Sequence, residues 1–136
     1  MKNKSKFNLR VLRSIASVTL FFVSVNWSIP VSYAREFSVE EGSVTLEEPD
    51  ASTSIFNIAS DKAVLRMDSF DIAASQTVNF RFANPTAASS VLNRVTGGSA
   101  SSISGILLSN GMVLLVNPAG INIGSGARIE TAGFIA

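Results

Sequence analysis

Two carboxylates three residues apart, Asp68 and Asp71, are the pair in this chain that invites a chemical reading. Clustered carboxylates with a bound cation can break acidic polysaccharides. Side chains along a strand alternate between faces, so if Asp68 and Asp71 share one extended strand they point to opposite sides and cannot converge on one site. The triplet Gly124-Ser125-Gly126 is a lone Gly-x-Gly. Ile129 stands where a third glycine would complete a dinucleotide fingerprint, and the stretch reads as a turn. The 136 residues contain no Cys and no His, which removes thiol nucleophiles, His-based triads, Cys/His zinc sites and disulfide frameworks together. Any catalysis would rest on carboxylates, Ser/Thr, Lys or Tyr, and the sequence assigns no catalytic residue, no metal ligand and no cofactor.

The charge is unevenly spread. Lys2, Lys4, Lys6, Arg10 and Arg13 stand in a basic start that holds no acid, and the rest of the chain is net acidic, which argues against nucleic acid as a partner. The apolar run from Ile15 to Val25 follows, then the turn formers Asn26 and Pro30, then Ser32-Tyr33-Ala34. Positive region, short hydrophobic core and small-x-small site are the order of a secretory leader, with cleavage after Ala34. A membrane span needs about 20 predominantly apolar residues, and this core is shorter and contains Ser and Thr. The expected division is therefore a signal peptide over 1–34 and an exported portion over 35–136, with the membrane met only transiently. Exported without cysteine, that portion must hold together by packing alone.

Residues 35–50 carry six acids around the short alternation Val44-Thr45-Leu46 and read as an edge strand or terminal cap. From Ser54 to Phe82 apolar residues recur with period 2 in short bursts: Ile55/Phe56 and Ile58, Val64-Leu65, Phe70-Asp71-Ile72, and Val78 to Phe82. That period predicts strands with one apolar face. Thr86 to Leu92 is either a helical turn capped by Thr86 or a further strand, and strand is the favoured reading. Beyond it the short apolar segments Ile106–Leu108, Met112–Val116, Ile121–Ile123, Ala127–Ile129 and Phe134–Ile135 are each separated by Gly, Asn or Pro. Many short strands with a turn signal at every step predict a sandwich, a barrel or a β-solenoid.

Two motifs punctuate this half. Asn117-Pro118-Ala119-Gly120, followed by Ile121, has the residue preferences of a type I turn, since a type II turn would want Gly or Asn where Ala119 stands. The other is Asn93-Arg94-Val95-Thr96-Gly97-Gly98. Arg94 has no acid near it in sequence and is either a recognition contact or half of a salt bridge within the fold. With Ser69-Phe70-Asp71-Ile72, Val78-Asn79-Phe80, Ile103-Ser104-Gly105, Asn110-Gly111, Gly124-Ser125-Gly126-Ala127 and Gly133-Phe134-Ile135-Ala136, the two motifs follow an order and spacing over about 70 residues. In that order the stretch from Val64 to Ala136 resembles the N-terminal secretion domain of the filamentous-haemagglutinin-type exoproteins of two-partner secretion. Ala119 departs from the second Asn usual there, and Met67 from a frequent Trp.

The resemblance implies an all-β fold, a right-handed parallel β-helix. It also implies a partner, an outer-membrane β-barrel transporter with periplasmic POTRA domains, which exports the exoprotein to the cell surface or medium. It marks Asn93, Arg94, Val95, Thr96, Gly97, Asn117, Pro118, Gly120 and Ile121 as recognition or turn residues. The family's domain continues where this chain stops, so the chain is expected to be a fragment or a truncated gene product, and any host-surface ligand would be met through a missing passenger. A different reading is a structural or adhesive solenoid module that binds host surfaces or glycans. The single Trp27 and single Tyr33 both lie in the leader, leaving only Phe to stack on sugars.

Overall fold

The structure, a computed structural model, describes residues 35–136, and the leader with its cleavage point at Ala34 lies outside the described residues. Every regular element among the described residues is a strand. The first two, β1 (Phe37–Glu41) and β2 (Val44–Asp50), precede a run in which the chain coils repeatedly through the same stations. The first coil contains β3 (Thr53–Ile58) and β4 (Lys62–Met67), and the second contains β5 (Thr77–Phe82), β6 (Ser90–Val95) and β7 (Ser101–Ile103). The third contains β8 (Ile106–Ser109), β9 (Met112–Val116) and β10 (Ile121–Ile123), and β11 (Arg128–Glu130) and β12 (Gly133–Ile135) begin a fourth.

From β3 and β4 onward, strands at the same station stack in parallel. One wall runs β2-β3-β5-β8-β11, a second β1-β4-β6-β9-β12, and a narrow third pairs β7 with β10. In the first coil the third wall is a single parallel bridge, Ile72 to Ile103, so Phe70-Asp71-Ile72 meets the wall at one residue instead of forming the strand its alternation predicted. The result is a right-handed parallel β-helix of about three turns. Successive pairings such as Thr53 with Thr77 and Thr77 with Ile106 set a repeat of about 20–31 residues.

Period-2 alternation fills the tube. In β3, β4, β5 and β6 every second residue is buried. Register then stacks like on like: Phe56 faces Phe80 with ring centroids 4.9 Å apart, and Phe80 also stacks on Phe70 at 6.4 Å. Each coil alone would leave this apolar face wet, so its burial comes from its neighbours.

The acidic stretch forms the cap that the sequence predicts. β1 pairs antiparallel with β4 and β2 antiparallel with β3, so the chain runs across the first coil in the opposite sense to the solenoid. Pro49, which has no N–H to give, sits where the β2 register slips between Glu47 and Asp50. Phe37 closes edge-on over Phe56 at 5.2 Å, and the reversal into β3 is tied by Asp50 Oδ1, which accepts from the Ser52 amide and hydroxyl.

The stretch Thr86 to Leu92 corrects the favoured reading in its first half. The Ser89 amide donates to the Thr86 carbonyl and the Ala88 amide to Thr86 Oγ1, which makes a single turn, and the strand begins only at Ser90. Pro85 removes a ladder donor just before it, so a strand starting at Thr86 would have a broken edge.

Candidate functional site

The two motifs meet at one corner of the solenoid. Arg94 on β6 lies beside Val116 on β9, so the segments that follow each, Val95 to Gly98 and Asn117 to Gly120, leave the second wall at the same edge in consecutive coils. Their meeting is held by Asn117, whose Nδ2 donates to the Ser99 carbonyl and to Ser101 Oγ, both at 2.9 Å. Its Oδ1 accepts from the Ala119 amide, and the Gly120 amide closes the turn on the Asn117 carbonyl at 3.0 Å. Among the described residues no non-glycine residue has a positive φ, which excludes type II at Ala119, and Gly120 takes φ +108° at the exit. Ile121 then enters β10 opposite Ser101.

Within the first motif the residues part by parity. Asn93 and Val95 point inward and are buried, while Arg94 and Thr96 face solvent. Asn93 stands in the ladder between Leu65 and Leu115, donates Nδ2 to the Leu114 carbonyl at 3.2 Å, and leaves its buried Oδ1 without a partner. Thr96 and Gly97 donate their amides to the Met67 and Asp68 carbonyls one coil below. The Gly97 Cα lies so close to the Asp68 carbonyl that a Cβ there would overlap it. Arg94 finds the acid the sequence did not show. Its Nη1 reaches Glu40 Oε2 at 3.0 Å across β4, with side chains 54% and 34% exposed. The pair is a fold contact, and its exposure leaves Arg94 within reach of a partner. Arg66 is next to Arg94 in register and directs Nε to Thr96 Oγ1 at 3.4 Å. The outward surface of this corner is thus Arg66, Arg94, Thr96, Pro118 and Ala119, cationic on one side and a rigid turn on the other.

Asp68 and Asp71 do not share a strand. Neither lies in a strand: Asp68 follows β4, and Asp71 Oδ1 accepts from the Ser102 amide at 2.8 Å to tie the first coil to β7. The condition under which the sequence set them on opposite faces, one shared strand, is therefore not met. Among the described residues no three acids converge as a cation site would need. An open depression is lined by Asn79, Leu108, Ser109, Asn110, Glu130, Thr131 and Ala132. Gly124-Ser125-Gly126 is a turn, closed by the Ala127 amide on the Gly124 carbonyl.

Sequence reasoning missed Arg35. Its Nη2 donates to the Asp71 carbonyl at 2.6 Å and its Nε to Ser54 Oγ at 3.3 Å, and the guanidinium lies 5.7 Å from the Phe70 ring centroid. Burial holds this guanidinium below the ordinary arginine value, partly offset by Glu48 and Asp71. The only signal in the sequence is a lone cation beside an acidic run.

Comparison with known proteins agrees with this architecture. A heme/hemopexin-binding protein of Haemophilus influenzae is 43% identical over 95 residues, 70% of this chain and 10% of that protein. A second, from strain Rd, is 50% identical over 68 residues, half of this chain and 7% of that protein. The chain thus spans a tenth or less of the curated relatives it matches. The crystal structure of the HMW1 secretion domain from Haemophilus influenzae superposes with a TM-score of 0.67 at 38% identity, covering 74% of this chain and 26% of that one. The model of the TPS secretion domain, the secretion domain of two-partner exoproteins, matches residues 34–136, which include all that the structure describes. The chain belongs to that family.

Proposed function

We propose that this domain is the export signal of a larger exoprotein. After the leader has carried the chain into the periplasm, an outer-membrane β-barrel transporter with POTRA domains recognises the folded or folding coils and threads the exoprotein outward. The observation that carries this reading is the corner itself. The two motifs, 24 positions apart at Asn93 and Asn117, are brought side by side, and Arg94, Thr96 and Pro118 are left outward. Asn117, Gly97 and Gly120 shape the corner; Arg94 and Thr96 are exposed side chains that a partner can touch.

Membership in a secretion-domain family supports the reading over catalysis. Adhesion by sugar stacking is not supported by the described residues: Phe56, Phe70, Phe80 and Phe82 are buried, and Phe37 and Phe134 pack against the core. We assign heme or hemopexin binding, named for the relatives, to chain outside this domain. The chain itself has no His or Cys to hold heme iron.

The test is binding of the exported protein to the isolated periplasmic domains of its transporter, together with export in producing cells. Arg94→Ala and Thr96→Ala should weaken both while leaving the fold intact. If the transporter binds both variants as tightly as the unaltered chain, the corner is scaffold alone.

A further inference from the structure

Arg35 is the first residue after the predicted cut. Its side chain is anchored at three points on the first coil: Ser54 on β3, the Asp71 carbonyl, and the face of Phe70. With the side chain so held, the backbone nitrogen has a set position, 3.5 Å from Glu48 Oε1 on β2. The same carboxylate oxygen accepts from Ser54 Oγ at 3.4 Å. For a peptide amide with one proton, 3.5 Å is at the outer limit of hydrogen bonding. For an ammonium group with three protons and a full charge, an acid at that distance is an ion-pair partner.

We propose that Glu48 is the docking site for the α-ammonium group that leader removal creates at Arg35, so that processing completes the cap over the first coil. In the cut, water adds its hydroxyl to the Ala34 carbonyl carbon and a proton to the Arg35 nitrogen, and the released amine takes up one more proton at neutral pH. A poor contact becomes a charge pair at the entrance of the solenoid. The groups that set its strength are Glu48, the opposing charge of the Arg35 guanidinium, and the nearby Asp71. The pair ties β2 to the chain end and so holds β1 and β2 over the first coil, with Phe37 packed on Phe56. This inference rests on the leader reading of the sequence and is independent of transporter recognition.

The experiment uses the processed protein recovered from the producing bacterium. Its N-terminal residue is sequenced, and its α-amine is competitively acetylated across a pH series with mass-spectrometric readout. Lys62, the only lysine in residues 35–136, serves as internal reference. Sequencing should return Arg35. The midpoint of α-amine reactivity should lie above the ordinary α-amino range, and by roughly half a pH unit or more above that of Glu48→Gln. In 1 M salt the difference should shrink. An N-terminus at another residue overturns the proposal through the cut. Arg35 at the N-terminus with an ordinary, salt-insensitive midpoint overturns it through the site, and this arm needs only the unaltered protein, whether or not Glu48→Gln folds.

Discussion

Arg94→Ala separates scaffold from recognition, because the structure bounds what the ion pair contributes. The pair spans 3.0 Å, but its side chains are 54% and 34% exposed, and pairs so exposed contribute about 0.2–1 kcal/mol. Arg66, beside Arg94 in register, subtracts from even that by like-charge repulsion. Loss of Arg94 should therefore cost less than about 1 kcal/mol, a small part of the roughly 5–15 kcal/mol that holds a domain folded. The assay is a double-mutant cycle of Arg94→Ala and Glu40→Ala, read by urea midpoints of the exported protein, with export measured for the same four chains. The coupling energy should fall below about 1 kcal/mol, and export should drop for Arg94→Ala while Glu40→Ala exports almost normally. A cost above about 2 kcal/mol, or equal export defects in the two single variants, would refute the reasoning, since either result makes Arg94 essential only through Glu40.

Four further outcomes follow from the same coordinates. Phe80→Ala removes a fully buried ring stacked on both Phe56 and Phe70, and should cost about 3–5 kcal/mol in a denaturant titration. Asn117→Ala deletes the donor to Ser99 and Ser101 and the acceptor for Ala119, and should lower stability by about 1–3 kcal/mol, with Pro118→Ala much milder. Cysteines placed at Asn79 and Leu108, neighbours in register on β5 and β8, lie within the Cα range a disulfide needs. They should block export under oxidising conditions and spare it under reduction, because a closed loop is too wide to thread. The Ser52 hydroxyl and amide hold the Asp50 carboxyl below the ordinary carboxylate value. A group depressed in the folded state supports folding above its unfolded value and ceases to as pH falls through the folded one. The Ser52 amide should accordingly lose exchange protection on the acid side of the normal Asp range, and Asp50→Asn should abolish that pH dependence.

Much of the fold is legible in the chain because its rules are local. Alternation at Val78 to Phe82 reports a strand with one buried face, whatever stands beside it. Asn117-Pro118-Ala119-Gly120 folds as the turn its residues prefer, since the φ of Pro118 and the freedom of Gly120 are properties of those residues. β1 and β7 were harder: Phe37–Glu41 and Ser101–Ile103 hold too few apolar residues for a period to show. Thr86 misled because the alternation after it begins four residues late. Asn93 looked like a turn residue and is a core residue, its parity being set by Val91 and Val95 on either side.

The sequence by itself determined that the chain is built of short strands and tight turns, that no thiol or imidazole chemistry is available to it, and that a basic stretch precedes an acidic one. Tertiary structure alone decided that the acidic start runs backwards across the first coil, that Glu40 meets Arg94, and that the two motifs share a corner. Alternation and turn preference act over a few residues, so one chain displays them. Which strand lies beside which depends on register between segments one whole coil apart, and that register is chosen by the packing of all the walls at once.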